Sequence, residues 1–223
     1  YAAALIGDGH LPPQVVRFGL FGLGRRLPGI GANRNAILLR THGCQVVSVD
    51  DDTVCRTGSA PEAVRWSSLR VGADHDPAES WFFPDRTSAA QFAHWQALDF
   101  IREHERFLGQ PLQGLAAGAA GVKPDLREAC GHLLESLLRG DGRVTITYAG
   151  VIGDSARYSN ALALLTTNSG TRARLATSTG MYDCGRTSRE VVRHALMPTV
   201  THIELCMSMC MGMDNRQWLP PFF

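Results

Sequence analysis

No stretch of this 223-residue chain is long and apolar enough to cross a bilayer as a helix. Leu5–Ile6 and Phe18–Leu23 are short and interrupted by glycine. No basic leader, apolar core and small-residue cleavage site follow one another, so a signal-peptide layout is lacking. Charge of one sign is also lacking: 22 Lys and Arg against 21 Asp and Glu leave a net charge of +1. That excludes a bulk polyanion such as nucleic acid as the expected partner, although local basic groups can still hold a phosphate. There is no Gly-x-Ser-x-Gly nucleophile elbow and no His-x-x-x-His zinc pair. Gly7-Asp8-Gly9-His10 lacks the Lys-Ser/Thr of a phosphate-binding P-loop and reads as a plain turn. Repeats and low-complexity tracts are missing too.

What is present is 44% hydrophobic residues, enough for one sizeable core, and a single domain over 1–223 is expected. The chain starts at Tyr1 rather than Met and stops at Phe222–Phe223, directly after Pro220–Pro221. It is therefore expected to be part of a longer protein, incomplete at both ends. Six scattered cysteines (Cys44, Cys55, Cys130, Cys184, Cys206, Cys210) read as reduced thiols of a cytoplasmic protein rather than a disulfide framework.

Residues 1–32 are rich in Gly and Pro and read as loop, with room for a short strand at Val15–Phe21. Asn33 reads as an N-cap of a helix running to about His42, stopped by Gly43. Gln45-Val46-Val47-Ser48-Val49 predicts a buried strand. Residues 56–90 read as irregular, with Trp66, Trp81, Phe82 and Phe83 as packing anchors. Residues 88–107 are predicted helical, Gly109–Lys123 a Gly/Ala-rich loop, and Pro124–Leu138 a helix with proline at its start. Arg143–Tyr148 predicts a strand, Tyr158–Leu165 and Ser188–His194 helices, and Met197–Asn215 a helix followed by loop. Strands alternating with helices give an α/β fold whose ligands sit beyond the carboxyl ends of parallel strands.

The strand at Val46–Val49 ends in Asp50-Asp51-Asp52. Adjacent carboxylates repel one another unless a cation compensates. In an extended segment Asp50 and Asp52 point to one side and Asp51 to the other. Two carboxylates on one side suit Mg²⁺ or Mn²⁺, which would bridge a diphosphate; alternatively the triplet is a solvated acidic turn. Upstream, Gly29-Ile30-Gly31-Ala32-Asn33-Arg34-Asn35 enters a helix whose first amides, with the Arg34 fork, suit phosphate; the other reading is a capped helix with an exposed arginine.

Gly31-Ala32-Asn33-Arg34-Asn35-Ala36, then Gly43, then Ser48-Val49-Asp50-Asp51-Asp52-Thr53 resembles the middle of GT-A-type, family 2-like glycosyltransferases. Gly150–Ser155, Ser188–Arg193, Gly212–Arg216 and Leu219–Phe223 resemble segments of an uncharacterised bacterial subgroup. The resemblance implies a GT-A-like (Rossmann-like) mixed, mainly parallel sheet flanked by helices. It implies Asp50 and Asp52 as metal or diphosphate ligands. Asn33, Arg34 and Asp51 follow as nucleotide contacts, Mn²⁺ or Mg²⁺ as cofactor, and a nucleoside-diphosphate sugar as donor. The acceptor, whether glycan, peptide or small molecule, is open. Two departures stand out: no first nucleotide-binding strand is recognisable in residues 1–20, and no late acidic motif precedes the chain's end. A catalytically inactive GT-A-like binding module and a nucleotidyltransferase are the rival functions.

Asp154 in Gly153-Asp154-Ser155 and Asp214 in Asp214-Asn215-Arg216 are the candidate bases. A turn-capping Asp154 and a buried Asp214–Arg216 ion pair are the structural alternatives. His75 between Asp74 and Asp76 reads as an exposed acidic loop. Cys206 and Cys210 are expected on one face of a core helix, with Met209 and Met213 sharing another; both cysteines are expected reduced, buried and free of metal.

Overall fold

The structure, a computed structural model, describes residues 2–7, 11–21, 30–54, 56–63, 68–72, 77–155, 167–202 and 209–216. The predicted helix at Tyr158–Leu165, the turn at 8–10, and Trp66, His75, Cys55 and Cys206 lie outside these residues. Helices combine with several small sheets, one of them parallel, in a mixed α/β chain. Two compact units are distinguished, Tyr1–Val46 with Met213–Phe223, and Val47–Gly212.

The first unit holds α1 (Ala2–Gly7), α2 (Pro13–Phe21) and α3 (Ile30–Arg40), and β1 (Gln45–Val49) begins in it. The strand expected at Val15–Phe21 is helical instead. Pro13 occupies the first helical position, where its missing N–H costs nothing, and the Val15 and Val16 amides donate to the Pro12 carbonyl. Asn33 is not an N-cap, because α3 already begins at Ile30. Ala32, Asn35 and Leu38, spaced by three, form the buried face of α3. The Asn35 side chain donates to the Gly19 carbonyl on α2 at 2.8 Å. Gly43 adopts φ +87° beyond the helix end, the left-handed conformation that glycine allows cheaply, and β1 follows as expected. β1 is half-buried rather than buried.

In the second unit β2 (Gly58–Ser59), β3 (Ser68–Val71) and β4 (Ala78–Phe83) occupy a stretch expected to be irregular. The expected helix over 88–107 is two helices, α4 (Arg86–Phe92) and α5 (Phe100–Phe107), separated by β5 (His94–Trp95). Asp85 and Asp99 cap these helices by accepting from the Ser88 and Arg102 amides. The expected loop at Gly109–Lys123 contains α6 (Leu112–Ala116), whose Leu112 and Leu115 are buried three residues apart. Pro124 does not start a helix. It lies in β6 (Lys123–Asp125), an edge strand, where a residue without an N–H is tolerated; α7 (Gly131–Arg139) starts later.

β7 (Ile146–Tyr148) and β8 (Val151–Asp154) precede α8 (Ser169–Thr177) and α9 (Thr179–Thr187). The helix expected at Ser188–His194 is a strand, β9 (Glu190–Ala195). It runs antiparallel between β4 and β8, with Trp81 opposite Val192 and Gly153 opposite Val191, and the β-branched pair Val191–Val192 is fully buried. β10 (Thr199–Val200) and β11 (Cys210–Asp214) replace the helix expected from Met197. Met211 and Met213 therefore pack inward by strand alternation, and the helical face expected to be shared by Met209 and Met213 does not exist; the face expected for Cys206 with Cys210 involves a residue outside those described.

β3 pairs in parallel with β10 on one side and β6 on the other; β2 and β5 pair antiparallel; β11 lies between β1 and β7. Parallel pairing is thus one sheet among those with a described register. The cores include Trp81, Ala89, Val192 and Ala60 at the antiparallel sheet, and Leu69, Leu115 and Val122 at the parallel one. Among the described residues no helix is long and apolar enough to cross a membrane.

Candidate functional site

The aspartate triplet does not continue β1 as an extended segment. The Thr53 amide donates to the Asp50 carbonyl at 3.1 Å, which closes a four-residue turn with Asp51 and Asp52 at its centre. Aspartate favours such turns, since its short side chain competes for local backbone amides. The same-side pairing of Asp50 and Asp52 expected from strand alternation therefore does not apply. All three carboxylates instead leave one tight turn, anchored where the Asp50 amide donates to the Met209 carbonyl at 2.9 Å.

Asp51 and Asp52 are exposed and have no hydrogen-bond or ion-pair partner among the described residues; Asp50 is half-buried. Beside them the Thr53 hydroxyl is buried without a partner among the described residues. Among those residues no three His, Cys, Asp or Glu side chains converge where they could hold a metal ion. A Mg²⁺ or Mn²⁺ ion bound through one or two carboxylates and completed by water and phosphate oxygens needs no such trio. Two uncommitted carboxylates and an orphaned hydroxyl on one turn fit that mode.

Asp154, at the end of β8, pairs with the Arg189 Nε at 2.8 Å, and its side chain is 40% exposed. The Ser155 amide donates to the Arg189 carbonyl, so the pair is held at both ends. In the first unit Asp214, 1% exposed, accepts from Arg216 Nε at 2.7 Å and from the second guanidinium nitrogen at 2.8 Å. That forked pair raises the Arg216 pKa, first through the side-chain hydrogen bond. The ion pair anticipated between Asp214 and Arg216 is thus formed. Arg34 is half-buried in the second turn of α3, not the first, and Asn33 is exposed beside it. Asn33, Arg34 and Asp214 belong to the first unit; Asp50, Asp51, Asp52 and Asp154 belong to the second.

Three features have no counterpart in the sequence reading. Asn215 is buried, and its Nδ2 donates to the Leu38 carbonyl at 2.5 Å and to Thr41 Oγ1 at 3.2 Å. Its own amide donates to Cys44 and its carbonyl accepts from Gly43, so one residue ties down the last turn of α3 and the entry to β1. In the second unit the His104 Nδ1 lies 2.7 Å from Thr147 Oγ1, and its Nε2 lies 3.5 Å from the Cys210 sulfur. Burial lowers the His104 pKa, because desolvation disfavours the charged ring. Cys210 is half-buried rather than buried, and it is a free thiol like Cys44, Cys130 and Cys184. Finally, the Arg56 guanidinium stacks 4.0 Å from the Trp95 ring centre.

Comparison with protein-family models, with curated proteins and with solved structures finds no match to this chain.

Proposed function

We propose that the chain transfers a sugar from a nucleoside-diphosphate sugar to an acceptor, with Mn²⁺ or Mg²⁺ at the Asp50–Asp52 turn of a GT-A-like fold. One observation carries the reading: a hydrogen-bonded turn at the end of β1 presents Asp51 and Asp52 with no partner among the described residues. Neighbouring carboxylates raise each other's free energy, and a divalent cation relieves it. When bound, the metal would neutralise charge gathering on the departing diphosphate. The free thiols among the described residues fit a reducing compartment, and a cytoplasmic location goes with the proposal.

A second reading is a module that binds a nucleotide or a partner without turnover. It is favoured by the ion pairs that engage both candidate bases, Asp154 with Arg189 and Asp214 with Arg216. Asp154, the more exposed of the two, is the better base if the enzyme reading holds.

The test is release of nucleoside diphosphate from UDP-, GDP- and dTDP-sugars in the presence of Mn²⁺. The enzyme reading expects release by the wild type and at least a hundredfold loss in Asp52→Asn. Nucleotide binding without release would instead establish the binding module. Pyrophosphate release from nucleoside triphosphates would identify a nucleotidyltransferase.

A further inference from the structure

Beside the paired strands β2 and β5 opens a concavity of about 730 Å³, lined chiefly by Arg56, Thr57, Trp95, Gln96, Asp99 and Phe100. Its frame is fixed by hydrogen bonds. The Gln96 amide donates to the Thr57 carbonyl at 3.1 Å, and the Thr57 hydroxyl donates back to the Gln96 carbonyl at 2.5 Å. The Trp95 indole N–H is spent on the Ala90 carbonyl at 2.8 Å. Asp99 uses one oxygen to cap α5 and keeps the other.

Arg56 is the uncommitted group. Its side chain is exposed and lies on the Trp95 ring, and it has no carboxylate partner among the described residues. An exposed cation–π contact is weak, so a ligand can lift the guanidinium at little cost. One Arg56 and one Asp99 leave the lining with no net formal charge. It offers a guanidinium, which only donates, and a carboxamide, which donates and accepts; together they match neighbouring hydroxyl groups beside aromatic surface. Arg56 also follows Asp52 by four residues, a chain length that spans at most about 14 Å.

We infer that this concavity binds a sugar ring and is the acceptor subsite. Arg56 and Gln96 hydrogen-bond adjacent hydroxyls, while Trp95 and Phe100 flank the ring. The acceptor role rests on the sugar-transfer reading; ring binding does not. The experiment applies the whole 223-residue chain to an array of immobilised hexoses, deoxyhexoses, N-acetylhexosamines and uronates. Wild type is expected to be retained by at least one class. Arg56→Ala and Gln96→Ala should each weaken that retention at least tenfold. Gln96→Ala keeps the backbone pairing with Thr57, so its loss reports the side chain rather than the fold. Retention by no glycan, or retention indifferent to both substitutions, overturns the inference. Retention that persists when no nucleotide sugar is turned over would support the subsite and count against the transfer reading alone.

Discussion

Replacing Asn215 by alanine removes the side chain that closes the end of α3. Two hydrogen bonds go, to the Leu38 carbonyl and to the Thr41 hydroxyl. The Leu38 carbonyl belongs to the last turn of α3, where no intrahelical amide can replace the lost donor. Asn215 is 4% exposed, so water does not take its place without opening the packing. A buried acceptor stripped of its partner costs about 1–3 kcal/mol, and the second bond adds about 1 kcal/mol, so the expected loss is about 2–4 kcal/mol. At about 1.4 kcal/mol per factor of ten, local opening of α3 becomes roughly 30- to 700-fold more frequent. Hydrogen exchange followed by peptide mass spectrometry reads this directly. Peptides covering 30–46 should exchange faster by that factor, while β4 and β9 keep their protection. Asn215→Asp should do more damage at neutral pH, because a carboxylate would face a carbonyl with no donor between them. Unchanged exchange in α3, or equal acceleration in every peptide, would refute the clamp.

Two further outcomes follow from the second unit. A Cβ on Gly212 would lie 2.5 Å from Thr147 Oγ1 and 3.2 Å from His104 Nδ1. Gly212→Ala therefore must either crowd the core or turn the hydroxyl away from His104, at about 2 kcal/mol either way. Thr147→Ala removes that oxygen, so urea midpoints should show the double variant costing little more than Thr147→Ala alone; simple additivity would contradict the geometry. Burial holds both His104 and His194 below the usual imidazole pKa. Between the folded values and about 6.5 the unfolded chain binds the extra protons, so stability is fully present above that window and is lost as pH falls through it. Urea titrations at several pH values between 7.5 and 5 should show the loss, and His104→Gln and His194→Gln should each reduce the slope; an unchanged slope in both would show that burial does not govern these rings.

β1 and its glycine stop were legible because a run of β-branched residues beside a left-handed glycine is a local signal. Asp50–Thr53 was legible as a candidate site but not in its conformation. Strand alternation was extended past Val49, although turn chemistry already favours closure at consecutive aspartates. β9 was misread because Val191 and Val192 are buried in a central strand between two partners, so alternation does not mark it. β5 is two residues long, too short for any period, and with it the Trp95–Arg56 contact was hidden inside an expected helix. The clamp by Asn215 reaches a carbonyl 177 residues away in sequence, a pairing set by tertiary structure alone. Asp214 and Arg216 were legible as a possible pair because they stand two residues apart.

The central claim is that the Asp50–Asp52 turn holds a divalent cation together with a nucleoside diphosphate. Titration calorimetry with Mn²⁺, in the presence and absence of UDP, GDP and dTDP, tests it most directly on wild type and Asp52→Asn. The account predicts that wild type binds Mn²⁺ more tightly when a nucleoside diphosphate is present, and that Asp52→Asn weakens this binding at least tenfold. Binding of the same strength by both proteins would contradict it.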